Sequence, residues 1–408
     1  MNKLLGALMS VFYKFGKITL LKCMSALGIL ASSFYISSAY GISEFGEFSF
    51  VMAISGLVLV ISRMGAEYTC FKFFLREYMY DKSKAFNTLQ VVVVNSVVIS
   101  SLLLLLVISL IEIPEKLVCI LIMHTLTFSI IQPLSFAFRS IEKFTLAYSF
   151  EAGTFLLIIT FFWLLSKVLF GISYTHSSIF FYSLYLMLFI YKTKSIFNFR
   201  AIHFRKQIST VFNSISFLSY TLAEYACFWG PLLVSGFLLT EAETGTVSWG
   251  TRVFQMFVFV VSIRNSIEVP RILKGNDVRQ SLGRSIVENT KSTVMLIIPL
   301  VVVLLTYFLD FFETNQGGAV VMFIFFYMAA VVRYFFGPIC HIFTSISEKT
   351  AIFSNFLVVM LTSIIGFILI FYYGYSAVGP AYLLTWCGTL FFSYYVIFKL
   401  RPINDTSD

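Results

Sequence analysis

The run VVVVNSVVISSLLLLLVISLI, at residues 91–111, decides the fold class because it contains no charged side chain. An α-helix rises about 1.5 Å per residue, so roughly 20 apolar residues cross the hydrocarbon core of a bilayer, which is about 30 Å thick. Residues 294–312 and 352–373 form similar, nearly continuous apolar runs. These runs predict a protein that crosses a membrane several times.

The composition of the whole chain agrees with this prediction. Apolar residues make up 59% of the chain and charged residues only 12%, whereas soluble domains carry about 25% charged residues. Long apolar runs favour helices, because the strands of a membrane barrel are alternating segments of about ten residues. The six cysteines show no C-x-x-C spacing and are interpreted as small buried side chains.

The apolar pattern predicts an all-α polytopic membrane protein with twelve transmembrane helices. The predicted spans are 17–39, 48–71, 86–111, 117–138, 145–166, 178–191, 208–239, 246–268, 292–312, 318–343, 351–373 and 379–398.

The charges of the loops predict the orientation of these spans. Lys and Arg cluster in every second loop, beginning with the N-terminal segment, and only Lys116 and Lys167 lie in the loops between them. Because an excess of Lys and Arg marks cytoplasmic loops, both termini are predicted to be cytoplasmic. The net charge of +9 is therefore interpreted as a topology signal and not as a nucleic-acid-binding surface.

A short pattern recurs in the two parts of the chain. Residues 43–50 read SEFGEFSF and residues 242–249 read AETGTVSW, with Glu, Gly and Ser in register and an aromatic residue after the Ser. Residues 133–149 align on residues 338–354 in the same way. Self-similarity of this kind predicts a duplicated unit. The first pattern is predicted to form an outer turn before the second span of each half.

The basic segment Lys192–Lys206 is the predicted boundary between the halves. The N-terminal half is residues 1–205, which include this cytoplasmic linker, and the C-terminal half is residues 206–408. Six spans return the chain to its starting side, so the two halves are predicted to be parallel repeats. Parallel repeats are related by an axis along the membrane normal, and a central cavity lies between them.

Basic residues within the spans are the candidate binding residues. A charge at the centre of a membrane helix costs about 2.5–3.5 kcal/mol on insertion scales. Such side chains are therefore predicted to face a watery cavity, to pair with acids or to reach the interface. For Lys22, near the inner boundary, snorkelling and cavity lining both remain open. The five residues are Lys22, Arg63, Arg252, Arg264 and Arg333.

Acidic residues also fall within the predicted spans. Two of them follow an arginine by four residues, which places both groups on one helix face. Mutual neutralisation is therefore the alternative to cavity lining for two pairs, Arg63–Glu67 and Arg264–Glu268. Glu151 lies near the inner end of its span, where Arg139 or Lys143 would neutralise it.

Two arginines have no acid within one helical turn. Arg252 and Arg333 are accordingly predicted to line the cavity. Glu224 lies deep in the seventh span and is a candidate ion-pair partner for Arg252.

The chain carries no recognisable enzyme signature. It contains no Walker-type phosphate loop, no HExxH and no GxSxG, and its predicted outer loops are short. We therefore predict neither an enzyme nor a cofactor, and an ATP-driven pump is disfavoured.

The surplus of intramembrane cations indicates an anionic ligand. The guanidinium of Arg offers a fork of donors that matches phosphate and stays ionised when desolvated, so several Arg suit a pyrophosphate. Without a nucleotide site, transport would follow a gradient or be coupled to an ion. The candidates for binding that ion are Glu67, Glu151 and Glu224.

The pattern of the whole chain resembles a known family. The two parallel halves, the segment YGISEFGEFSF at residues 40–50 and the segment SRMGAEY at residues 62–68 are similar to polysaccharide transporters, and above all to O-antigen flippases. These belong to the multidrug/oligosaccharidyl-lipid/polysaccharide (MOP) flippase superfamily. The resemblance implies alternating-access translocation of an undecaprenyl-pyrophosphate-linked oligosaccharide to the periplasmic leaflet of a bacterial inner membrane, for lipopolysaccharide biosynthesis.

The resemblance also implies a set of site residues and partners. Basic residues of the family's first, second, seventh, eighth and tenth spans line its cavity, and the five intramembrane cations named above fall on four of those spans. The seventh span here offers Glu224 instead. The implied partners are the lipid-linked oligosaccharide, membrane lipids, H+ or Na+ as coupling ion, a polysaccharide polymerase and a chain-length regulator.

Two other functions provide alternatives. A multidrug or organic-cation antiporter of the same superfamily would depend on Glu224 and Glu151, and the cationic excess argues against it. A membrane-embedded polymerase or ligase would need a larger outer loop than the sequence provides.

Overall fold

The structure is a computed structural model, and it describes residues 2–66, 70, 74–141, 143–193, 215–255, 272, 278–291, 316–337, 339, 342–343 and 349–400. Within these residues the chain forms helices and short connections, and no strand occurs.

The helices of the first part of the chain follow one another closely. They are α1 (Asn2–Tyr40), α2 (Ile42–Arg63), α3 (Leu75–Tyr80), α4 (Lys82–Leu110), α5 (Glu115–Ser140), α6 (Phe144–Ser149), α7 (Ala152–Phe170) and α8 (Tyr174–Thr193).

The second part of the chain supplies six further described helices. They are α9 (Ile215–Leu238), α10 (residues 241–255), α11 (Val278–Lys291), α12 (Gln316–Phe336), α13 (Lys349–Tyr373) and α14 (Val378–Tyr395). A short 3-10 turn, Gly374–Ala377, joins α13 to α14.

The prediction of membrane-crossing helices is confirmed in its general form. The described residues include six helical segments that are long and apolar enough to cross a membrane. The buried share of their apolar windows differs widely between segments. In Ile42–Arg63 the apolar window is 72% buried, whereas in Thr350–Lys399 it is 17% buried. Helix α2 is therefore a core helix, while α13 leaves an apolar surface that suits lipid. The number twelve stays a prediction, because the predicted span 292–312 lies outside the described residues.

The chain divides into two compact units. The first comprises Met1–Ala39 and Val51–Leu218, and the second comprises Tyr40–Phe50 and Ser219–Asp408. The first turns of α2 thus belong to the second unit. The predicted boundary at residue 205 stays a prediction, because residues 194–214 are outside the described part of the chain.

The repeated pattern is helical, which corrects the prediction of an outer turn. Residues 43–50 lie inside α2 and residues 242–249 lie inside α10, while the turns themselves are at Gly41 and at residues 239–240. The shared Glu lies in the first helical turn in each copy. In the second copy, Glu243 accepts hydrogen bonds from the Thr240 amide at 3.0 Å and from its hydroxyl at 2.9 Å. This is a capping box, so the acid of the pattern starts the helix.

The shared Gly and Ser of the pattern form a helix crossing within the second unit. A Cβ on Gly46 would collide with the Glu241 carbonyl, and a Cβ on Gly245 would collide with the Ile42 carbonyl. The Ser248 hydroxyl donates to the Ser49 hydroxyl at 2.7 Å. These contacts are reciprocal, because each copy presents equivalent residues to the other. The pattern therefore specifies close packing of α2 on α10, which small residues permit in membranes.

A second close approach of helices positions Glu151 in the first unit. A Cβ on Gly28 of α1 would collide with the Gly153 carbonyl of α7, and a Cβ on Gly153 would collide with Ser25. The predicted fifth span, 145–166, is divided here into α6 and α7, and Glu151 is the residue that precedes α7. The break places its carboxylate at a helix end and not within a continuous helix.

Candidate functional site

Helix α9 presents one polar face to the interior of the second unit. Tyr220, Glu224 and Cys227 have i, i+4 and i+7 spacing, so they share one side of the helix. All three line a cavity in this unit, and Cys227 is buried.

Arg333 faces the same cavity from the last turn of α12. A cation is favoured there because it meets the negative end of the helix dipole. Its Nη1 donates to the Gly337 carbonyl at 2.7 Å, and its guanidinium lies over the Trp386 ring at 5.5 Å from the centroid. The residue is only 3% exposed, and its Nε makes no hydrogen bond within the described residues.

The cavity brings together groups from four helices, and its volume, about 20 Å³, is close to that of one water molecule. Asn355 of α13 and Thr389 of α14 hydrogen-bond to each other at 3.0 Å on its wall. A half-buried carboxylate and a buried guanidinium therefore share one largely apolar space. The full lining is Tyr220, Glu224, Cys227, Arg333, Asn355, Trp386 and Thr389.

Arg252 is buried in α10, where an amide and an aromatic ring contact its guanidinium. Its Nη1 donates to the side chain of Gln255 at 3.1 Å, and its guanidinium lies over the Trp229 ring at 5.1 Å from the centroid. The ion pair with Glu224 stays a prediction, and Glu224 lines the cavity together with Arg333. Arg252 is 6% exposed, and its Nε has no hydrogen-bond partner in the described part of the chain.

Arg63 is the last residue of α2, whereas its predicted pairing with Glu67 assumed that both residues lie on one continuous helix. Its Nε donates to the Leu59 carbonyl at 3.0 Å, and its guanidinium lies over the Phe136 ring at 5.5 Å from the centroid. Met64 follows with a φ of 46°, so α2 ends at Arg63. Glu67 lies outside the described residues, and its pairing with Arg63 stays a prediction.

Lys22 and Glu151 meet at one end of the first unit. The Arg139 guanidinium pairs with the Glu151 carboxylate at 2.6 Å, which confirms Arg139 as one of its two predicted partners. The Lys22 ammonium lies over the Tyr148 ring at 5.4 Å from the centroid. Arg264 and Glu268 lie outside the described residues, so their predicted pairing stays a prediction.

Several residues of the cavity were not found by the sequence analysis. Asn355, Trp386 and Thr389 are ordinary residues of apolar helices, and only the packing of α13 on α14 brings them to Arg333. The one available signal was the spacing of Tyr220, Glu224 and Cys227 on α9. Outside this cavity, Arg139 was predicted to lie in a cytoplasmic loop, although its side chain is only 26% exposed.

Metal ligation has no support in the part of the chain that the structure describes. There, no group of three or more His, Cys, Asp or Glu side chains is placed to hold a metal ion. The polar groups of the cavity are chemically suited to a phosphoryl oxygen at Arg333 or to a cation or proton at Glu224.

The described helices and their buried charges define a polytopic helical membrane protein. No protein-family model matches the chain, and no curated protein matches it. Among solved structures, the chain is similar to a crystal structure of MATE in complex with Br-NRF. The sequence identity is 11%, the TM-score is 0.44, and the match covers 95% of this chain and 97% of that chain. A likeness of this size does not define the family of the chain.

Proposed function

We propose that the chain is a flippase that moves a lipid-linked oligosaccharide from the cytoplasmic to the periplasmic leaflet of a bacterial inner membrane by alternating access. The observation that carries this proposal is Arg333, a buried guanidinium that lines a small cavity among apolar helices. A charge within the membrane carries a free-energy cost, and membrane proteins use such charges mainly to bind substrates and ions.

The chemistry of Arg333 favours a phosphoryl ligand. One donor of the guanidinium is engaged with Gly337, and Nε retains its hydrogen-bonding capacity among the described residues. Arg binds phosphate oxygens with two parallel donors, whereas an ammonium acts as a point charge. Arg252 adds a second buried guanidinium in the same unit. A pyrophosphate-linked lipid offers the matching anion.

The coupling ion is assigned to the carboxylates. Glu224 shares the cavity with Arg333, so protonation or Na+ binding at Glu224 would change the electric field at the guanidinium. Glu67 and Glu151 remain further candidates of the sequence analysis. In this proposal both termini are cytoplasmic, and a polysaccharide polymerase and a chain-length regulator act on the exported product.

A multidrug or organic-cation antiporter is the second candidate, and one observation favours it. Glu224, Tyr220 and Trp386 combine a carboxylate with aromatic rings in one cavity, which is the chemistry that attracts organic cations. In this function Glu224 would be the essential binding residue, and Arg333 would repel the substrate.

Substitution of Arg333 distinguishes the two functions in the native host. Arg333→Ala removes a charge-assisted contact of about 1.5–3 kcal/mol, so surface polysaccharide is expected to fall roughly tenfold or more. Arg333→Lys is expected to retain part of it, and Arg284→Ala, at an exposed arginine of α11, serves as the matched control. Polysaccharide would be quantified beside the amount of folded protein in the membrane. Normal polysaccharide in Arg333→Ala cells would contradict the flippase assignment of this residue.

A further inference from the structure

Helix α3 turns one exposed face away from the rest of the protein. Arg76, Met79 and Tyr80 have i, i+3 and i+4 spacing, so they share one side of the helix, and all three are exposed. Met79 is 76% exposed and Tyr80 is 89% exposed, and among the described residues no other large hydrophobic side chain is as exposed as either. Two adjacent side chains of this kind indicate an interaction surface.

The opposite side of α3 is fixed on α4. Glu77 accepts a hydrogen bond from the Thr88 hydroxyl at 2.6 Å, and its main-chain carbonyl accepts one from the Asp81 amide at 2.7 Å. The Tyr78 ring lies against the Phe86 ring, with 6.0 Å between their centroids. The exposed face of α3 is therefore held in a defined direction by the helix that follows it.

The exposed surface continues from α3 onto the start of α4. Residues 79–84 are all exposed, and we call them the exposed run. Asp81 is the N-cap residue of α4, where it accepts hydrogen bonds from the Ser83 and Lys84 amides. The Lys84 ammonium pairs with the Glu77 carboxylate at 3.6 Å. The charges of Asp81 and Lys84 are thus used within the chain.

Lys82 is the other charged residue of the exposed run. Its ammonium lies over the Tyr78 ring at 5.5 Å from the centroid, and a ring orients a cation without neutralising it. Arg76 has a contact of its own within the chain, so Lys82 alone is taken as the cation of this surface. The exposed run combines two apolar side chains with one cation, which suits the boundary between lipid headgroups and lipid chains.

The exposed run also lies at the depth of the headgroup layer. Lys82 is four residues before the predicted span 86–111, which corresponds to about 6 Å along a helix. The headgroup region adds about 5–8 Å on each side of the hydrocarbon core, and tyrosine is enriched at this depth. The loop is predicted to be cytoplasmic, and anionic lipids of the cytoplasmic leaflet attract lysines near the surface.

We propose that the exposed run docks on the anionic headgroup layer of the membrane that α4 crosses. Met79 and Tyr80 lie among the lipids, and Lys82 lies beside a lipid phosphate. Because α3 is fixed on α4, this contact holds the cytoplasmic end of α4 at a set depth. The inference goes beyond the proposed function and does not depend on which substrate is moved.

Tryptophan fluorescence of the full-length protein in lipid vesicles tests the inference. The four natural tryptophans are buried or half-buried, and the natural protein provides the background signal. In Tyr80→Trp, a nitroxide on the lipid headgroup is expected to quench about half or more of the added fluorescence, because indole rings settle at this depth. Acrylamide in the water is expected to quench the same signal much less than it quenches N-acetyltryptophanamide.

A matched variant on the same helix controls for the substitution itself. Tyr78→Trp places the reporter on the packed side of α3, against Phe74 and Phe86. Its added fluorescence is expected to be quenched weakly by the labelled lipid and by acrylamide alike. The difference between the two variants therefore reports the exposed face of α3.

The charge of the lipid is varied in the same experiment. Quenching in Tyr80→Trp is expected to be about twofold stronger in phosphatidylglycerol than in phosphatidylcholine vesicles, because Lys82 favours an anionic surface. Adding Lys82→Gln is expected to remove this difference, whereas adding Lys82→Arg is expected to retain it. Lys167→Gln, at a lysine of the last turn of α7 on the predicted outer side, is expected to leave it unchanged.

Three results would overturn the inference. If acrylamide quenches the Tyr80→Trp reporter as strongly as N-acetyltryptophanamide, the surface faces water. If neither quencher reaches the reporter, a protein surface such as a second copy covers it. Equal quenching in the two lipids would reject an anionic partner. None of these results bears on export by Arg333→Ala cells, so this inference and the flippase function fail separately.

Discussion

At the scale of single residues, the buried charges are held by local contacts that do not neutralise them. Arg333 rests on the Gly337 carbonyl and Trp386, and Arg252 rests on Gln255 and Trp229. Carbonyls, amides and rings orient a guanidinium without cancelling its charge. These contacts therefore leave the charge of each arginine uncancelled, and the proposed binding of an anion would use that charge.

Glu224 provides the residue-scale test of coupling. Glu224→Gln keeps the shape of the side chain but removes its charge, so transport is expected to lose its dependence on an H+ or Na+ gradient and to fall about tenfold or more. Export into inverted membrane vesicles, with and without each gradient, measures this effect. Glu112→Gln, at an exposed loop carboxylate, is the control. Unaltered gradient dependence in Glu224→Gln would exclude this residue as the coupling group.

At the scale of helices, the sequence predicted the apolar elements well and their ends less well. Hydropathy located α4 and α5 closely, because an uncharged run has few ways to satisfy its backbone except as a spanning helix. The E-x-G-x-x-S pattern is predicted as a turn because each copy forms a short acidic break between two long apolar stretches. In the folded chain Glu243 caps a helix, and Gly46 and Ser49 meet their counterparts at the α2–α10 crossing.

The crossing of α2 and α10 leads to a prediction about stability. In Gly46→Ala, the new Cβ would lie 2.7 Å from the Gly245 amide nitrogen, so the helices must separate at a cost of about 1–3 kcal/mol. Gly230→Ala makes the same substitution in α9, where the nearest atom is 4.0 Å away, and it is expected to be neutral or to stabilise by up to about 1 kcal/mol. Thermal unfolding in detergent compares the two, and equal stability of both variants would contradict the close packing.

At the scale of the whole molecule, the candidate cavity depends on the packing of four helices, which the sequence alone does not predict. Charge and hydropathy identified Arg333 and Glu224 one at a time, because an ionisable group in an apolar run is visible in the sequence. These two residues line one cavity with Asn355 and Thr389 because four helices pack together. Neutral side chains such as these do not stand out in an apolar sequence. The sequence offers Arg252 as a candidate partner of Glu224, and this pairing stays a prediction because linear spacing does not distinguish between neighbouring helices.

The central claim is that the protein moves a pyrophosphate-linked lipid and depends on a buried arginine to do so. The most direct measurement reconstitutes the purified protein in vesicles with a fluorescent polyprenyl-pyrophosphate oligosaccharide and follows its movement between leaflets with an impermeant quencher. The natural protein is expected to accelerate this movement, and Arg333→Ala is expected to slow it about tenfold or more. Failure to move the lipid, together with gradient-driven uptake of tetraphenylphosphonium that Glu224→Gln abolishes, would contradict the claim and identify an organic-cation antiporter.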